Sequence, residues 1–239
     1  MSTILGTLRA LAGGVLCFMM AIAALLSLTV DRGRGRAFHA VARAWARSVL
    51  FVCGVRVEVH GLEQIERTRH YVFVSNHASL FDIPCILAGV PAQIRIVYKK
   101  ELEKLPVFGW GLKAGPYIAI ERGNSASAAR SLEVAAERIR RGSSVLLYAE
   151  GTRTRDGRLQ PFKRGAFNLA VKAGIPVVPL TVNGSFAIMR KGSIVVHPGT
   201  VKLEVASPIP VEDGQGKAAE LRLMGRVHAT ISANYIDQS

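Results

Sequence analysis

The residues in this chain best suited to proton transfer follow a short apolar run at positions 71–74. Asn76 and His77 come just after that run, and Asp82 lies five residues beyond the histidine. A histidine can take a proton from a hydroxyl near neutral pH, and a carboxylate can fix the tautomer of its ring. His77 and Asp82 are therefore candidates for a general base and its orienting acid, with an ordinary surface pair as the alternative.

Two further clusters, at residues 121–123 and 150–153, combine arginine with glycine. The guanidinium groups of Arg122 and Arg153 offer planar forks of donors that suit a phosphate, and a neighbouring glycine lets the backbone approach an anion closely. Lys100 follows another apolar run and adds a third cation. Together these residues predict a phosphate site, whereas each cluster alone would also fit a solvated basic face.

The elements that must position these groups alternate between apolar strands and helices. The pattern predicts strands at 55–61, 71–76, 94–99, 116–120, 144–150 and 176–184, helices at 125–142, 166–174 and from Lys217, and a hairpin of 193–197 with 200–205. This alternation is typical of an α/β fold with a central mixed sheet flanked by helices. Ligands of such sheets bind beyond the carboxyl ends of strands, where the three clusters stand.

The amino end is typical of a membrane anchor, because residues 10–30 carry no charge. A helix of that length spans roughly the 30 Å hydrocarbon core of a bilayer. Arginines that follow the run place the rest of the chain in the cytoplasm, and residues 37–53 have the spacing of an interfacial helix. We therefore predict an anchor at residues 1–53, either a span or a helical hairpin in one leaflet, and a catalytic domain at 54–239. A cleaved signal peptide and an ordinary packed helix are the alternatives.

The composition restricts the classes of function further. A net charge of +14 favours anionic partners such as phosphorylated molecules, acidic lipids or nucleic acid. Nucleic-acid binding is the alternative from a different class, but the aromatic residues that would interleave with the basic ones in an RNA-binding sheet are missing. The sequence also lacks the Gly-x-Ser-x-Gly elbow of serine hydrolases, a phosphate-binding P-loop and the spacing of a metal site. We expect neither a metal nor a nucleic-acid partner.

Asn76 and His77 with Asp82 resemble the NHx4D block of the glycerolipid acyltransferases, and residues 150–153 read Glu-Gly-Thr-Arg, like the EGTR block of that family. Segments 100–109, 120–122 and 177–180 resemble the remaining blocks in the correct order. The resemblance covers roughly residues 50–210. It departs from the family at Glu121, where aspartate often precedes the arginine.

The resemblance implies transfer of an acyl chain from a thioester to the sn-2 hydroxyl of 1-acyl-sn-glycerol 3-phosphate, which gives phosphatidic acid. His77 would take the hydroxyl proton and Asp82 would orient His77, with no covalent acyl-enzyme. Pro179 would lie on the acyl side, unless it is simply a sheet-edge proline. The substrate-binding residues implied by the family blocks are Asn76, Lys100, Arg122, Glu150, Gly151, Thr152 and Arg153.

Several finer questions stay open at the level of sequence. The acceptor could also be glycerol 3-phosphate or a lyso-aminolipid, since both would use the same chemistry. The thioester could be acyl-CoA or an acylated acyl carrier protein, and either would serve as a co-substrate with no further cofactor. We expect the partners to be lysophosphatidic acid, the acyl thioester and the membrane bilayer, with the catalytic domain on the cytoplasmic side of the inner membrane.

Overall fold

A computed structural model describes residues 2–31, 35–121, 125–140, 142–212 and 216–237, without the side chains of residues 2, 125–129 and 140. The elements occur in an order that alternates strands with helices after two amino-terminal helices. The seven strands are β1 (Val55–His60), β2 (Val72–Ser75), β3 (Ile94–Lys99), β4 (Ile118–Ile120), β5 (Ser144–Tyr148), β6 (Val177–Asn183) and β7 (Gly199–Val205). The helices are α1 (Ser2–Ser27), α2 (Arg36–Val52), α3 (Asp82–Gly89), α4 (Phe108–Ala114), α5 (Ser125–Arg140), α6 (Gly165–Ala173), α7 (Ser185–Ile188) and α8 (Lys217–Asn234), and short 3-10 turns cover Leu62–Gln64 and Lys100–Lys104.

The two amino-terminal helices lie against each other and differ in character. The apolar helix α1 leaves side chains such as Leu11 and Val15 exposed, and it is the one helix within the described ranges that is long and apolar enough to cross a membrane. Helix α2 is amphipathic and buries residues such as Phe38 and Ala46. The carboxylate of Asp31 accepts hydrogen bonds from the first backbone N–H groups of α2, which stabilises the start of that helix. An exposed apolar helix of this kind fits association with a membrane.

The sheet has the strand order β1-β7-β6-β2-β5-β3-β4. All neighbouring pairs are parallel except β6 and β7, so that β2 to β6 run one way and β1 and β7 run the other. The carboxyl ends of β2, β3, β4, β5 and β6 therefore lie along the same edge. This is the edge at which all the sequence-predicted clusters begin, so the predicted α/β class with a mixed sheet and an amino-terminal apolar helix is confirmed.

The core lies on both faces of the sheet. Along β2, Phe73 packs into the cluster beneath α2 and α3, whereas Val72 and Val74 pack into the opposite cluster beneath α5, α6 and α8. Successive side chains of a strand point to opposite faces, so a strand covered on both sides must be apolar throughout. This accounts for the continuous apolar run that precedes His77 and fixes the position of the site at its end.

One element prediction is wrong. Residues 193–197 form no strand, and the predicted hairpin partner β7 pairs with β1 on one side and β6 on the other. The alternating segment packs against the beginning of α1 instead, where the Val196 N–H donates to the carbonyl of Gly6 at 3.3 Å. Val196 is thus covered by a helix from the far end of the chain, a partner that local spacing cannot show, whereas Ile194 stays exposed.

Candidate active site

His77 and Asp82 meet in the turn between β2 and α3. The His77 Nδ1 lies 2.7 Å from the Asp82 Oδ2, and the Asp82 side chain is fully buried. The same oxygen accepts the backbone N–H groups of Ala78 at 2.8 Å and Ser79 at 2.9 Å. Asp82 is also the first residue of α3, where the partial positive charge of the helix favours a carboxylate. Three polar contacts and a helix end therefore converge on the Oδ2 of the buried Asp82 carboxylate.

This geometry determines which nitrogen of His77 can react. With the Asp82 Oδ2 as the acceptor of the Nδ1 proton, the lone pair of the neutral ring lies on Nε2. The His77 side chain keeps 13% of its surface exposed, whereas Asp82 keeps none. The pair can therefore present an oriented base to a hydroxyl group while its carboxylate stays away from water.

The backbone of His77 is held by the segment that follows the neighbouring strand β5. Its N–H donates to the Glu150 Oε1 at 2.6 Å, and its carbonyl accepts the Thr154 N–H at 2.9 Å. The second Glu150 oxygen accepts the Gln160 N–H at 3.0 Å. Burial of this carboxylate raises the pKa of Glu150 to about 7. Both Glu150 oxygens are thus used within the protein, and we interpret the residue as one that positions His77.

The segment after β5 continues from Glu150 to Arg153, the cation proposed for the phosphate site. Gly151 has a φ of +71°, a left-handed conformation that favours glycine. Arg153 is half-buried, and burial lowers the pKa of its guanidinium while the negative charge of Asp82 opposes that shift. Lys191 donates to the Thr152 hydroxyl at 2.9 Å and to the Arg153 carbonyl at 3.0 Å. Arg153 therefore lies on a loop that Lys191 fixes by two hydrogen bonds, and its charge interacts with that of Asp82.

A family model described as acyltransferase matches residues 56–183, which contain the dyad and the Arg153 loop. The chain belongs to the acyltransferase family. It is 35% identical over 184 residues to a chloroplastic 1-acyl-sn-glycerol-3-phosphate acyltransferase of Brassica napus, across 76% of this chain and 53% of that protein. It is 34% identical over 200 residues to a 1-acyl-sn-glycerol-3-phosphate acyltransferase of Pseudomonas aeruginosa, across 82% of this chain and 76% of that protein.

A solved structure is similar over nearly the whole length of this acyltransferase. The crystal structure of a 1-acyl-sn-glycerophosphate (LPA) acyltransferase, PlsC, from Thermotoga maritima superimposes with a TM-score of 0.82 at 26% identity, covering 98% of this chain and 94% of that chain. The chain spans about half the length of the plant relatives that it matches, 53% for the Brassica napus protein and 54% for an Arabidopsis thaliana protein.

In this acyltransferase Asn76 is used by the scaffold. Its amide Nδ2 donates to the Val182 carbonyl at 2.9 Å, and its Oδ1 accepts the Val182 N–H at 2.8 Å. The side chain is 1% exposed. We therefore interpret Asn76 as a clamp between the end of β2 and the end of β6, which fixes the residue before the base.

The ends of β3 and β4 lie further from the dyad along the same sheet edge than the end of β5 does. Lys100 follows β3, and its Nζ lies 3.6 Å from the Glu121 Oε2. Arg122 lies outside the described residues. Glu121, the residue before it, directly follows β4. Three strand spacings separate β4 from β2, about 14 Å at ~4.8 Å each. The described part of the chain therefore brings Arg153 close to the dyad and leaves Lys100 at the far side of the same edge.

Pro179 lies in an interior strand, so the alternative of a sheet-edge proline is wrong. Its carbonyl accepts the Ala206 N–H at 3.0 Å, just beyond the last residue of β7. In a strand, the N–H and the carbonyl of one residue point to the same neighbouring strand. The N–H that Pro179 lacks would therefore point toward Ala206, which lies beyond the last residue of β7. A proline is tolerated there because no ladder hydrogen bond is lost.

Two residues that lie beside the site escape the sequence patterns. Tyr148 is the last residue of β5 and stacks on the His77 ring. Lys191 lies 38 residues beyond Arg153 and reaches it across the fold. Tyr148 is opposite Ser75 in the register of β2 and β5, and neither that register nor the approach of Lys191 can be inferred from spacing. Tyr148 belongs to an apolar strand and Lys191 to a loop, so composition gives no signal either.

An apolar cavity of about 130 Å³ lies between the amino-terminal helices and the catalytic fold. Its wall includes Trp45 of α2, Ile83 and Leu87 of α3, and Leu112 of α4. Ile83 follows Asp82 directly, so α3 carries the orienting carboxylate and also part of the cavity wall. The cavity is apolar and adjoins the helix that begins at Asp82, so its lining suits a hydrocarbon chain.

Proposed function

We propose that the protein transfers an acyl chain from an acyl thioester to the sn-2 hydroxyl of 1-acyl-sn-glycerol 3-phosphate, forming phosphatidic acid. The observation that carries this proposal is the His77–Asp82 dyad held beside the Arg153 loop. The dyad can activate a hydroxyl, and the guanidinium suits a phosphate on the same acceptor molecule. Relatives over 30% identical that are named 1-acyl-sn-glycerol-3-phosphate acyltransferases support the same substrate class.

The reaction proceeds by direct transfer. The Nε2 of His77 takes the proton of the acceptor hydroxyl while that oxygen forms a bond with the thioester carbonyl carbon. The carbon–sulfur bond then breaks, and the imidazolium returns the proton to the departing thiolate, so that an ester and a thiol are released. Asp82 stabilises the imidazolium between these two steps and remains ionised. No residue of the protein becomes acylated.

The acceptor phosphate is held by cations at the same sheet edge. The hydrogen bond from Lys191 to the Arg153 carbonyl and the turn at Gly151 support this role for Arg153. Arg122 and Lys100 are expected to contribute from the side of β4 and β3. Phosphate binding fixes the glycerol backbone and thereby selects which hydroxyl reaches Nε2.

The acyl chains determine where the reaction takes place. The apolar cavity beside α3 is suited to the chain of the thioester, and α1 with α2 forms a monotopic anchor or span that keeps the enzyme at the lipid surface. Residues 1–53 then serve as the membrane anchor and residues 54–239 as the catalytic domain, which faces the cytoplasm. Acyl-CoA and acylated acyl carrier protein both present an anionic donor to this basic protein.

The acceptor can be identified by product analysis. Membranes that contain the protein would be given a labelled acyl-CoA or acylated acyl carrier protein together with lysophosphatidate, glycerol 3-phosphate or a lyso-aminolipid. Labelled phosphatidate formed from lysophosphatidate alone is the expected result. Transfer only to another acceptor would overturn the substrate assignment, and absence of transfer from both donors to all three acceptors would overturn acyl transfer itself.

A further inference from the structure

We infer that Tyr148 is a positioning residue for the general base, and that its aromatic ring both orients the His77 imidazole and stabilises the imidazolium that forms during transfer. This inference rests on the proposed acyl transfer, because it concerns the proton taken by the same histidine. It adds a contact on the ring face to the two hydrogen bonds that hold the His77 backbone and the one that holds Nδ1.

The stack between the two rings is close and nearly parallel. The ring centroids of His77 and Tyr148 are 3.8 Å apart, and the ring planes differ by 14°. The register of the sheet produces this contact, since Ser75 is opposite Tyr148 and His77 follows two residues later on the same face. Rotation of the imidazole about its χ2 bond is blocked on one side by the phenol ring. The hydrogen bond to Asp82 and the stack together fix the direction of Nε2.

The ring of Tyr148, and not its hydroxyl, is the part placed to act. The hydroxyl is buried and has no hydrogen-bond partner within the described residues. Burial raises the pKa of Tyr148 well above its usual value, and the negative charge of Asp82 adds to that shift, so the phenol remains neutral. A neutral aromatic face attracts a cation, and burial strengthens the attraction. The face therefore interacts more favourably with an imidazolium than with a neutral imidazole.

The other titratable groups around His77 come from two elements. Asp82 and the buried thiol of Cys85 lie on α3, and burial together with Asp82 raises the pKa of that thiol, so it is neutral. Glu150 and Arg153 lie on the segment after β5. A substitution at Tyr148 leaves all of these groups in the chain, so a change in the pH dependence can be attributed to the ring.

The test compares Tyr148→Leu with Tyr148→Phe, using Phe73→Leu as the control for loss of a buried aromatic residue on the neighbouring strand. The readout is the pH dependence of kcat and KM for acyl transfer to lysophosphatidate. We expect Tyr148→Leu to lower kcat on the order of tenfold without raising the KM for the acceptor. Loss of the ring destabilises the imidazolium, so the midpoint of the rising low-pH limb moves to lower pH, by up to about one unit. Tyr148→Phe is expected to restore both rate and midpoint, and Phe73→Leu to keep the midpoint.

A second measurement separates this inference from the proposed function. The carbon-bound ring protons of His77, assigned with a His77→Gln variant, should show a ring-current shift by NMR that is lost in Tyr148→Leu and kept in Tyr148→Phe. An unshifted His77 signal in the wild-type protein would overturn the stack whatever the enzyme acylates. A wild-type midpoint in Tyr148→Leu, or an equal displacement in Phe73→Leu, would overturn the role of the ring. Loss of activity in Tyr148→Phe would assign the effect to the hydroxyl and contradict the inference.

Discussion

At the scale of single residues, the Asp82 carboxylate is held by contacts with its near neighbours in the sequence. One of its oxygens accepts two backbone N–H groups and lies against the His77 Nδ1, so that the charge and the direction of the base are fixed by atoms within six residues. Glu150 extends this arrangement to the segment after the neighbouring strand β5. Burial of the Glu150 carboxylate, which accepts hydrogen bonds from two loops, costs free energy of folding, and this cost depends on pH.

We expect Glu150→Gln to alter the pH dependence of stability. Burial raises the pKa of Glu150 from 4.5 to about 7, so the folded chain holds this proton more tightly than the unfolded chain. The resulting stabilisation is complete below pH ~4.5 and is lost as the pH rises through ~7, on the order of 3 kcal/mol in total. The free energy of unfolding, measured by urea titration at pH 4.5 and pH 8, should therefore fall more in the wild-type protein than in Glu150→Gln.

The same variant should lose activity, because a glutamine amide can accept only one of the two N–H groups that Glu150 accepts. A decrease in kcat on the order of tenfold is expected from the misplaced base. Equal pH slopes of stability in the two proteins would contradict the burial argument, and unchanged kcat would contradict the positioning of His77 by Glu150.

Arg153→Ala should weaken binding of the phosphorylated acceptor. Loss of a charge-assisted contact to phosphate of about 1.5–3 kcal/mol corresponds to a rise in KM of roughly tenfold to a hundredfold. Arg158→Ala is the matched control, since Arg158 lies on the same loop with a side chain that is 67% exposed. Steady-state kinetics at saturating thioester would measure both variants. An equal KM in Arg153→Ala and Arg158→Ala would remove Arg153 from the acceptor site.

At the scale of elements, the strand order brings the site together. The ends of β2, β5 and β6 are neighbours, and Asn76 joins the first to the third through two hydrogen bonds to Val182. This clamp fixes the main chain at the residue before His77. Helix α3 then begins at Asp82, so one turn of chain carries the base, its orienting carboxylate and the first residues of the apolar cavity.

Asn76→Ala should reduce both stability and kcat. Two buried backbone groups lose their partners, which costs about 2–4 kcal/mol of unfolding free energy. Asn183→Ala is the control, because Asn183 also makes two hydrogen bonds to the main chain, but with Asn234 and Ile236 and not with the segment that carries the dyad. Chemical denaturation should show a similar loss in both variants, while kcat should fall in Asn76→Ala alone. A parallel fall of kcat in the two variants would mean that only stability matters.

The sequence predicts those features of the site that are local. His77 and Asp82 lie within one turn, and the apolar runs before each polar cluster follow from strands covered on both faces. The stack of Tyr148, the clamp of Asn76 and the tether from Lys191 depend on strand register and on contacts between distant segments. The wrong prediction of a hairpin at 193–197 also reflects a contact between distant segments. Alternating apolar residues indicate that one face of a segment is buried, but not whether a strand or the helix α1 buries it. The side chain of Arg122 lies outside the described residues, so its part in the phosphate site stays a prediction.

At the scale of the whole molecule, an apolar helix and a basic domain are combined in one chain. Helix α1 exposes a row of large apolar side chains, and α2 packs between α1 and α3. The apolar cavity is walled by both amino-terminal helices and by the catalytic fold. The proposed membrane attachment and the proposed binding of an acyl chain therefore involve the same two helices, as we expect for a reaction whose acceptor and product are both lipids.

Leu11→Asp should weaken attachment to lipid vesicles, because Leu11 lies on the exposed face of α1. Burial of a leucine in hydrocarbon contributes about 1.5–3 kcal/mol, and a charge at that position adds a desolvation cost. Leu221→Asp is the control, an exposed leucine on α8. Flotation with vesicles that contain anionic lipid would measure the bound fraction. Equal flotation of the two variants would contradict the assignment of α1 as the membrane-facing helix.

The most direct test of the central claim is the rate of phosphatidate formation by His77→Ala at saturating lysophosphatidate and thioester, measured in membranes that hold equal amounts of each protein. If His77 takes the hydroxyl proton, kcat falls on the order of a thousandfold while membrane attachment and acceptor binding are kept. A rate within a few-fold of the wild-type enzyme would contradict the dyad mechanism.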